Sequence, residues 1–265
     1  MSALALHAYG PDFSQGGVPL VLLHGFPLDS RMWSSTVALL PGVPILAVDA
    51  PGFGDSEALE DDEPSLDLYA NAVVSSLNDA GVVRGVVVGL SMGGYVALSL
   101  AERHPQVLAG LALLDTKAKA DDDAGRQKRL DVAEAALGEQ GSAAVAPMID
   151  TLLGPTSHRD RSDLVEEVRA WLDAAPPEGI AWAQEAMAAR PDRLDVLRTV
   201  QVPSLVLRGA EDTLSTAEDH ARMAEALGVD VVVVAGAGHM SALEDPEATA
   251  RALGELYARV TGSGD

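Results

Sequence analysis

The sequence predicts an α/β protein in which a mostly parallel central sheet is flanked by helices and interrupted by a helical insertion. Short apolar runs alternate with amphipathic stretches along the 265 residues, as is typical of a parallel sheet covered by helices. The runs are almost continuously apolar, which indicates strands buried on both faces. One interval of roughly 80 residues holds no strand-like run, and it is too long for a simple crossover between strands.

The strands and helices of the core follow one another in a regular order. The first segment, Ala3–Tyr9, alternates enough to form an edge strand. Six further strands are predicted at Leu20–Leu23, Ile45–Val48, Val86–Val88, Leu108–Leu114, Ser204–Leu207 and Val231–Val234. Helices follow most of them, at Met32–Leu40, Ser65–Asp79, Met92–Arg103, Thr216–Leu227 and Pro246–Val260. The last residues, Thr261–Asp265, form a polar tail.

The long interval between the fourth and fifth of these six strands carries only helical pattern. It predicts helices at Leu130–Leu137, Leu164–Leu172 and Ile180–Ala189, separated by turns at Asp121–Asp123 and Pro176–Gly179. We expect these helices to form a cap over one end of the sheet. The predicted organisation is a first core part at residues 1–117, a helical cap at 118–197 and a second core part at 198–265.

The composition excludes several classes of function. Hydrophobic residues make up 48% and charged residues 22% of the chain, which argues against disorder. The net charge of −22 disfavours binding to nucleic acid or to anionic lipid, because both need clustered basic residues. Cationic or neutral substrates should therefore approach more easily than polyanions. The three lysines, Lys117, Lys119 and Lys128, all fall in one short stretch.

Cysteine is absent, which excludes disulfides, thiolate chemistry and cysteine-ligated metal sites. The segment Met1–Gly10 has no basic region followed by a long apolar run, so no secretion signal is predicted. No apolar run approaches the roughly 20 residues that a membrane helix needs. These observations favour a cytoplasmic location without membrane association.

The segment from Gly89 to Gly93, with the sequence Gly-Leu-Ser-Met-Gly, predicts a nucleophile. It directly follows a strand-like run and begins a predicted helix. A serine at a tight strand-to-helix turn needs small neighbours, because flanking side chains would clash with the nearby chain. Such a turn exposes the Ser91 hydroxyl at the helix amino terminus, which favours developing negative charge.

A serine hydroxyl needs an adjacent base, and histidine suits this role near neutral pH. His239 follows the last predicted strand and precedes a helix, so we expect it at the same sheet edge as Ser91. The other five histidines lie in less suitable places: His7 in the edge strand, His24 in the loop after the first apolar run, His104 at a helix end, His158 in the cap and His220 on a helix.

An acid must orient His239, and Asp212 follows the Ser204–Leu207 strand at the expected position. Glu211 and Asp115 are alternatives, because position in a loop leaves the assignment open by a residue. The oxyanion hole needs N–H donors. Met92 directly after the nucleophile and Phe26 in the loop His24–Leu28 are the candidates, since Pro27 has no N–H to donate. His24 is expected to brace this loop.

These motifs together resemble the α/β-hydrolase superfamily with a helical cap. The matching segments are His24–Asp29, Asp49–Ser56, Gly89–Tyr95, Gly209–Asp212 and Gly236–His239, and the chain order Ser91, Asp212, His239 is the one expected of that fold. Within it the sequence is similar to small bacterial carboxylesterases and to 3-oxoadipate enol-lactonases. Serine at position 91 excludes the branch with an aspartate nucleophile, the haloalkane dehalogenases and epoxide hydrolases. The resemblance implies no chemistry for Asp49–Ser56.

The predicted reaction is acyl transfer from a small ester to water through an acyl-enzyme on Ser91. It requires no metal or organic cofactor. The alternatives are a lactone hydrolase of the enol-lactonase type, a cofactor-free perhydrolase, and a binding protein that has kept the fold. A dicarboxylate lactone would need arginines in the pocket, and the sequence alone places none there. Activity should rise through the pKa of His239, near 6.5 if unperturbed.

An apolar substrate pocket is predicted from large side chains in the hole loop, the cap and the loop of His239. The candidates are Leu28, Trp33, Met148, Trp171, Trp182, Met187 and Met240. For each of them, packing between cap and core is the alternative.

Overall fold

The computed structural model describes residues 4–12, 17–59 and 63–262. Within these ranges one sheet contains seven strands: β1 (Leu6–Tyr9), β2 (Leu20–Leu23), β3 (Ile45–Val48), β4 (Gly85–Leu90), β5 (Leu108–Leu114), β6 (Ser204–Gly209) and β7 (Val231–Val234). Their spatial order is β1-β3-β2-β4-β5-β6-β7. Only β1 is antiparallel to its neighbour, and the other pairs are parallel. The mostly parallel α/β sheet is therefore confirmed.

The predicted strands agree closely with the observed ones, with two differences at the sheet edges. The first strand begins at Leu6 rather than Ala3, and Ala3 itself lies outside the described residues. The prediction that Val231–Val234 is buried on both faces is wrong, because β7 is the last strand of the sheet. No described strand covers its outer edge, and Val232 and Val233 remain 38% and 54% exposed.

The helices of the core cover the two faces of the sheet. They are α1 (Ser34–Ala38), α2 (Leu66–Asp79), α3 (Met92–Arg103), α10 (Ala217–Leu227), α11 (Ser241–Glu244) and α12 (Pro246–Thr261). Ser65 and Thr216 lie just outside their helices because their side chains cap the first turns. The predicted single helix at Met32–Leu40 is instead a 3₁₀ turn at Ser30–Trp33 followed by the short α1.

The segment between β5 and β6 contains helices and no strand among its residues, all of which are described. They are α4 (Asp123–Leu137), α5 (Ile149–Leu152), α6 (Pro155–Asp160), α7 (Ser162–Ala174), α8 (Pro177–Ala188) and α9 (Leu194–Leu197), with a 3₁₀ helix at Gly141–Met148. α4 packs along α8. α4 begins earlier than predicted because Asp122 caps it by accepting a hydrogen bond from the Gly125 N–H.

One turn predicted in this segment is mostly helix. Pro176–Gly179 was expected as a turn, but Pro177 is the first residue of α8. Proline suits this position, since the first helical N–H has no partner inside the helix. Residues 263–265 of the predicted polar tail lie outside the described part of the chain. Among the described helices, none is both long and apolar enough to cross a membrane.

Candidate active site

Ser91 is the residue between β4 and α3. Its backbone has φ of 52° and ψ of −112°, a conformation that L-residues rarely adopt. The turn is fixed from both sides, because the Ser91 N–H donates to the carbonyl of Leu114 on β5 and the Ser91 carbonyl accepts from the Thr116 hydroxyl. The neighbouring strand therefore holds the strained residue in place.

The glycines on either side of Ser91 are required by the closeness of the chain. A Cβ atom at Gly89 would lie 2.2 Å from the carbonyl oxygen of Gly93, and one at Gly93 would lie 2.1 Å from the carbonyl oxygen of Leu23. Both contacts are to backbone, which cannot move aside as a flexible side chain can. The turn that exposes Ser91 thus depends on glycine at these positions.

The side chains of Ser91, His239 and Asp212 form a continuous hydrogen-bonded chain. His239 Nε2 lies 2.8 Å from Ser91 Oγ, and His239 Nδ1 lies 3.0 Å from both carboxylate oxygens of Asp212. With the proton on Nδ1, the imidazole donates to Asp212 and accepts from the Ser91 hydroxyl. This is the geometry that a general base needs to remove the serine proton.

Asp212 is the acid that contacts His239, and the two alternatives bond elsewhere. The carboxylate of Asp212 also accepts from the Leu214 N–H and the Ser215 hydroxyl, which fix its orientation. Glu211 accepts from the hydroxyl and N–H of Thr156. Asp115 accepts from the Gly209 N–H at 2.7 Å and from Ser241. Asp115 therefore ties the end of β6 to the start of the short helix Ser241–Glu244, which follows His239.

The contact between His239 and Asp212 shifts the pKa of each side chain. Burial alone would lower the pKa of His239, but its hydrogen bond to Asp212 and the charge of that carboxylate outweigh burial and raise it above 6.5. Burial likewise opposes ionisation of Asp212, yet the hydrogen bond from His239 lowers its pKa to about 2. Asp212 is therefore a carboxylate at neutral pH and stabilises a positive charge on His239.

Asp115 is a second buried carboxyl group close to this pair. Burial, followed by the negative charge of Asp212, raises the pKa of Asp115 to about 7. Among the described residues its hydrogen bonds come from Gly209 and Ser241 and not from His239. We therefore regard Asp115 as a positioning residue.

The other five histidines have partners that account for them. His24 Nε2 accepts from the Ala50 N–H at 2.8 Å, so it braces the loop after β2 against the loop after β3, as expected. The remaining bonds are His7 to Asp49, His104 to the Asn71 amide oxygen, His158 to the Ile149 carbonyl, and His220 to the Thr216 carbonyl and Thr116 N–H. His104 therefore bonds to a side chain rather than to the last carbonyls of its helix.

Two backbone N–H groups are candidates for an oxyanion hole. Met92 is the first residue of α3, where a helix leaves its N–H without an internal acceptor. Phe26 follows Gly25 in the loop after β2 and lines the same cavity as Ser91. Within the described residues, neither N–H donates to a protein acceptor, so both can bind a developing oxyanion.

A cavity of about 280 Å³ opens above Ser91 and His239. Two of the seven predicted pocket residues, Met148 and Met187, line it. The other five lie outside its lining. Trp33, Trp182 and Met240 pack in the hydrophobic core, while Leu28 and Trp171 line a separate groove beside Arg31. Burial of Trp33, Trp182 and Met240 removes their apolar surface from water, which stabilises the fold.

Basic residues line the cavity and were not predicted to do so. Lys117 follows β5, and Lys128 and Arg129 lie on α4. On α4 the lining residues are Gly125, Lys128, Arg129 and Val132, a spacing that places them on one helical face. The grouping of all three lysines in one short stretch was the available sequence signal.

Among the described residues, two groups of side chains are close enough to hold a metal ion. One is His7, Asp49 and Asp55, and the other is Asp115, Asp212 and His220. The second set is already engaged by protein partners, since Asp212 accepts from His239 and His220 accepts from the Thr116 N–H. In the first, Asp49 accepts from the Ser30 and Asp55 N–H groups. We assign no metal to either.

Comparison with known proteins identifies a family for most of the chain. A model described as alpha/beta hydrolase family matches residues 20–252. The dihydrolipoyllysine-residue acetyltransferase component of the acetoin cleaving system of Pseudomonas putida is 30% identical over 88% of this chain, and the chain spans 61% of that relative's length.

Two solved structures are similar over nearly the whole chain. A thermophilic esterase from Thermogutta terrifontis, solved with malate bound, is 35% identical, with a TM-score of 0.91 over 97% of this chain and 93% of its own. The enol-lactonase from Burkholderia xenovorans LB400 is 25% identical, with a TM-score of 0.84 over 96% and 95%.

Proposed function

The chain belongs to the alpha/beta hydrolase family, and from this premise we propose that it is a serine hydrolase that cleaves a small carboxylic ester. The observation that carries the proposal is the 2.8 Å separation of His239 Nε2 from Ser91 Oγ, with Asp212 on the opposite ring nitrogen. A base in this position converts a weak hydroxyl nucleophile into an effective one. The family resemblance to esterases and an enol-lactonase supports a hydrolytic reaction.

The first half of the proposed reaction acylates Ser91. The Ser91 oxygen attacks the ester carbonyl while His239 Nε2 takes its proton, and the N–H groups of Phe26 and Met92 bind the oxyanion. His239 then gives the proton to the leaving alcohol as the carbon–oxygen bond breaks. Asp212 stabilises the imidazolium that exists between these two transfers.

Water completes the reaction by the same route. His239 removes a proton from a water molecule, which attacks the acyl carbon, and the proton returns to Ser91 Oγ when the acid leaves. Every step uses a side chain, a backbone N–H or water, so we expect no metal or organic cofactor to be required. The oxyanion donors should each contribute about 3–4 kcal/mol to lowering the barrier.

We further propose that residues 118–197 act as the cap. Two carboxylates join this segment to the loops of the site. Glu244 accepts from the Gly154 N–H and the Ser157 hydroxyl as well as from the Gly238 N–H beside His239. Glu211 accepts from Thr156. The cap therefore supplies Met148 and Met187 to the cavity in a defined position.

Lactone hydrolysis is the second candidate. It uses the same attack of Ser91, but the leaving alcohol stays joined to the acyl group. Two observations favour it. One is the similarity to the enol-lactonase, and the other is Arg129 in the cavity, since a dicarboxylate lactone would need an arginine there. A binding protein would have no need of the strained Ser91 and its two partners. Peracid formation stays a prediction that added peroxide would test.

A panel of p-nitrophenyl esters of increasing acyl length, together with simple lactones, tests the proposal. We expect hydrolysis by the unaltered protein and a fall of about 10³-fold or more in kcat for Ser91→Ala. Ser34→Ala, which changes an exposed serine outside the cavity, is the control and should retain activity. Equal rates in Ser91→Ala and the unaltered protein would refute the proposed function.

A further inference from the structure

The cavity above Ser91 is locally basic in a strongly acidic protein. The chain has a net charge of −22 and only three lysines, yet Lys117, Lys128 and Arg129 line this cavity with one carboxylate, Asp121. Most other lining residues are apolar or neutral. Such a concentration of positive charge opposes the field of the whole molecule and needs a local explanation.

Asp121 cannot neutralise these three cations, because its single negative charge is shared by Arg129, Lys117 and a fourth cation, Arg190. Arg190, buried outside the cavity, donates to both Asp121 oxygens, at 2.6 and 2.7 Å. Burial opposes ionisation of Asp121, but the hydrogen bonds from Arg190 and the charge of Arg129 outweigh burial and hold its pKa below the usual range. Arg190 also stacks on Tyr95, with 4.2 Å to the ring centroid. Four cations around one carboxylate thus leave this part of the cavity wall with a net positive charge.

Lys117, Lys128 and Arg129 have different protein partners, and each keeps N–H donors available to a ligand in the cavity. Arg129 donates through Nε to Asp121 and through Nη1 to the Gln184 amide oxygen at 3.1 Å, which fixes its guanidinium plane. Lys117 Nζ lies 3.4 Å from Asp121, which occupies one side of the ammonium group. Lys128 is exposed and makes no ion pair with any described residue.

We infer that the substrate of this site carries a free carboxylate, which Lys117, Lys128 and Arg129 bind while Ser91 attacks a second, esterified carboxyl group. This inference rests on the proposed function and names its substrate class: half-esters or lactones of dicarboxylic acids. An acidic surface would repel such a substrate, so the cavity itself must supply the attraction. Charge-assisted hydrogen bonds to a carboxylate are the strongest that these side chains form.

A carboxylate-binding cavity differs from two expectations drawn from the sequence. Net charge favoured neutral or cationic substrates, and no arginine could be placed in the pocket. Both expectations depended on average composition, whereas α4 gathers Lys128 and Arg129 on the face that closes the cavity.

A pair of esters of equal chain length tests the inference. Monomethyl glutarate has an ionised far carboxyl group at neutral pH, and methyl valerate has a methyl group there. Hydrolysis of either consumes one water and releases methanol and a carboxylic acid. We expect kcat/KM to favour monomethyl glutarate by about 10-fold or more at low ionic strength. Lys128→Gln should reduce that ratio about threefold, as expected for one exposed cation of the three, and rising salt should reduce it as well.

Arg126→Gln is the matched control. Arg126 is an exposed cation on the same helix, but it does not line the cavity. Its substitution by glutamine changes the net charge by the same amount as Lys128→Gln. We expect the ratio of the two kcat/KM values to be unchanged in this variant. A ratio near one in the unaltered protein, or an equal change in both variants, would overturn the inference.

A second experiment measures whether glutarate protects Ser91 from covalent labelling. It distinguishes a failure of carboxylate binding from a failure of the proposed function, even if neither ester is a good substrate. Ser91 is labelled with a neutral fluorophosphonate in the presence of sodium glutarate, or of sodium chloride at the same ionic strength. Slower labelling with glutarate, weakened by Lys128→Gln, supports carboxylate binding. Equal labelling with both salts overturns the inference and leaves the proposed function standing. A Ser91 that is not labelled at all refutes both.

Discussion

The backbone of Ser91 stores strain that a glycine would not have. A non-glycine residue at φ of 52° and ψ of −112° costs about 1–3 kcal/mol, whereas glycine adopts this conformation freely. We therefore predict that Ser91→Gly raises the free energy of unfolding by about 1 kcal/mol, after allowing for the greater freedom of glycine in the unfolded chain. Urea denaturation measures the change.

Ser91→Ala is the comparison for this prediction. It removes the same hydroxyl but keeps the Cβ atom, so its backbone strain remains. A Ser91→Gly variant that is no more stable than Ser91→Ala would show that the turn is not strained.

The pH dependence of activity is set by the His239 imidazole. The free imidazole is the base, so activity should rise as pH increases through its pKa. Because Asp212 raises that pKa, the midpoint of kcat/KM against pH should lie above 6.5. In Asp212→Asn the charge is lost and burial, which lowers the pKa, is no longer outweighed, so the midpoint should move down while activity falls. Rate measurements from pH 5 to 9 test this, and a midpoint that does not move would contradict it.

The junction of β4, α3 and β2 depends on close backbone contact. A Cβ atom at Gly93 would lie 2.1 Å from the Leu23 carbonyl oxygen, so strand or helix must shift. We predict that Gly93→Ala destabilises the protein by about 3 kcal/mol or more, at the upper end of the range for single substitutions. Thermal or urea unfolding measures the loss.

Gly254 in α12 supplies a matched control for that substitution. A Cβ atom there would meet only the Leu40 side chain, at 3.6 Å, and alanine is the better helix former by about 1 kcal/mol. Gly254→Ala should therefore stabilise the protein slightly. Similar losses in both variants would mean that the backbone contact at Gly93 is not the cause.

The strands could be predicted from the sequence where burial on both faces requires apolar residues. β2 to β5 are buried throughout and appear as apolar runs. β7 has the same kind of run but lies at the edge, because the order of strands in a sheet is not encoded in any one strand. The short helices α5, α6 and α9 were missed since one or two turns contain too few residues for a helical period to be recognised.

The whole molecule carries 40 acidic and 18 basic side chains, so its folded state repels itself. Salt screens this repulsion, because the Debye length falls from about 30 Å at 0.01 M to about 10 Å at 0.1 M. We predict that raising sodium chloride over this range stabilises the protein by about 1 kcal/mol, or roughly 2–4 °C in Tm. Potassium chloride should act equally, since screening depends on ionic strength. A Tm that falls with salt would contradict this account.

At the scale of the whole fold, the three candidate catalytic residues were easier to place from the sequence than the residues that line the cavity. Ser91, Asp212 and His239 each follow a parallel strand, and the carboxyl ends of such strands meet at one edge. The cavity depends instead on how the segment between β5 and β6 folds back. That tertiary packing places Lys128, Arg129 and Met187 near Ser91 and buries Trp182, and no local pattern specifies it.

The most direct test of the central claim, that His239 activates Ser91, is covalent labelling with a fluorophosphonate followed by peptide mass spectrometry. The account predicts one adduct on the peptide containing Ser91, formed about 10³-fold more slowly in His239→Gln. Labelling of a different residue, or equal rates in the unaltered protein and His239→Gln, would contradict it.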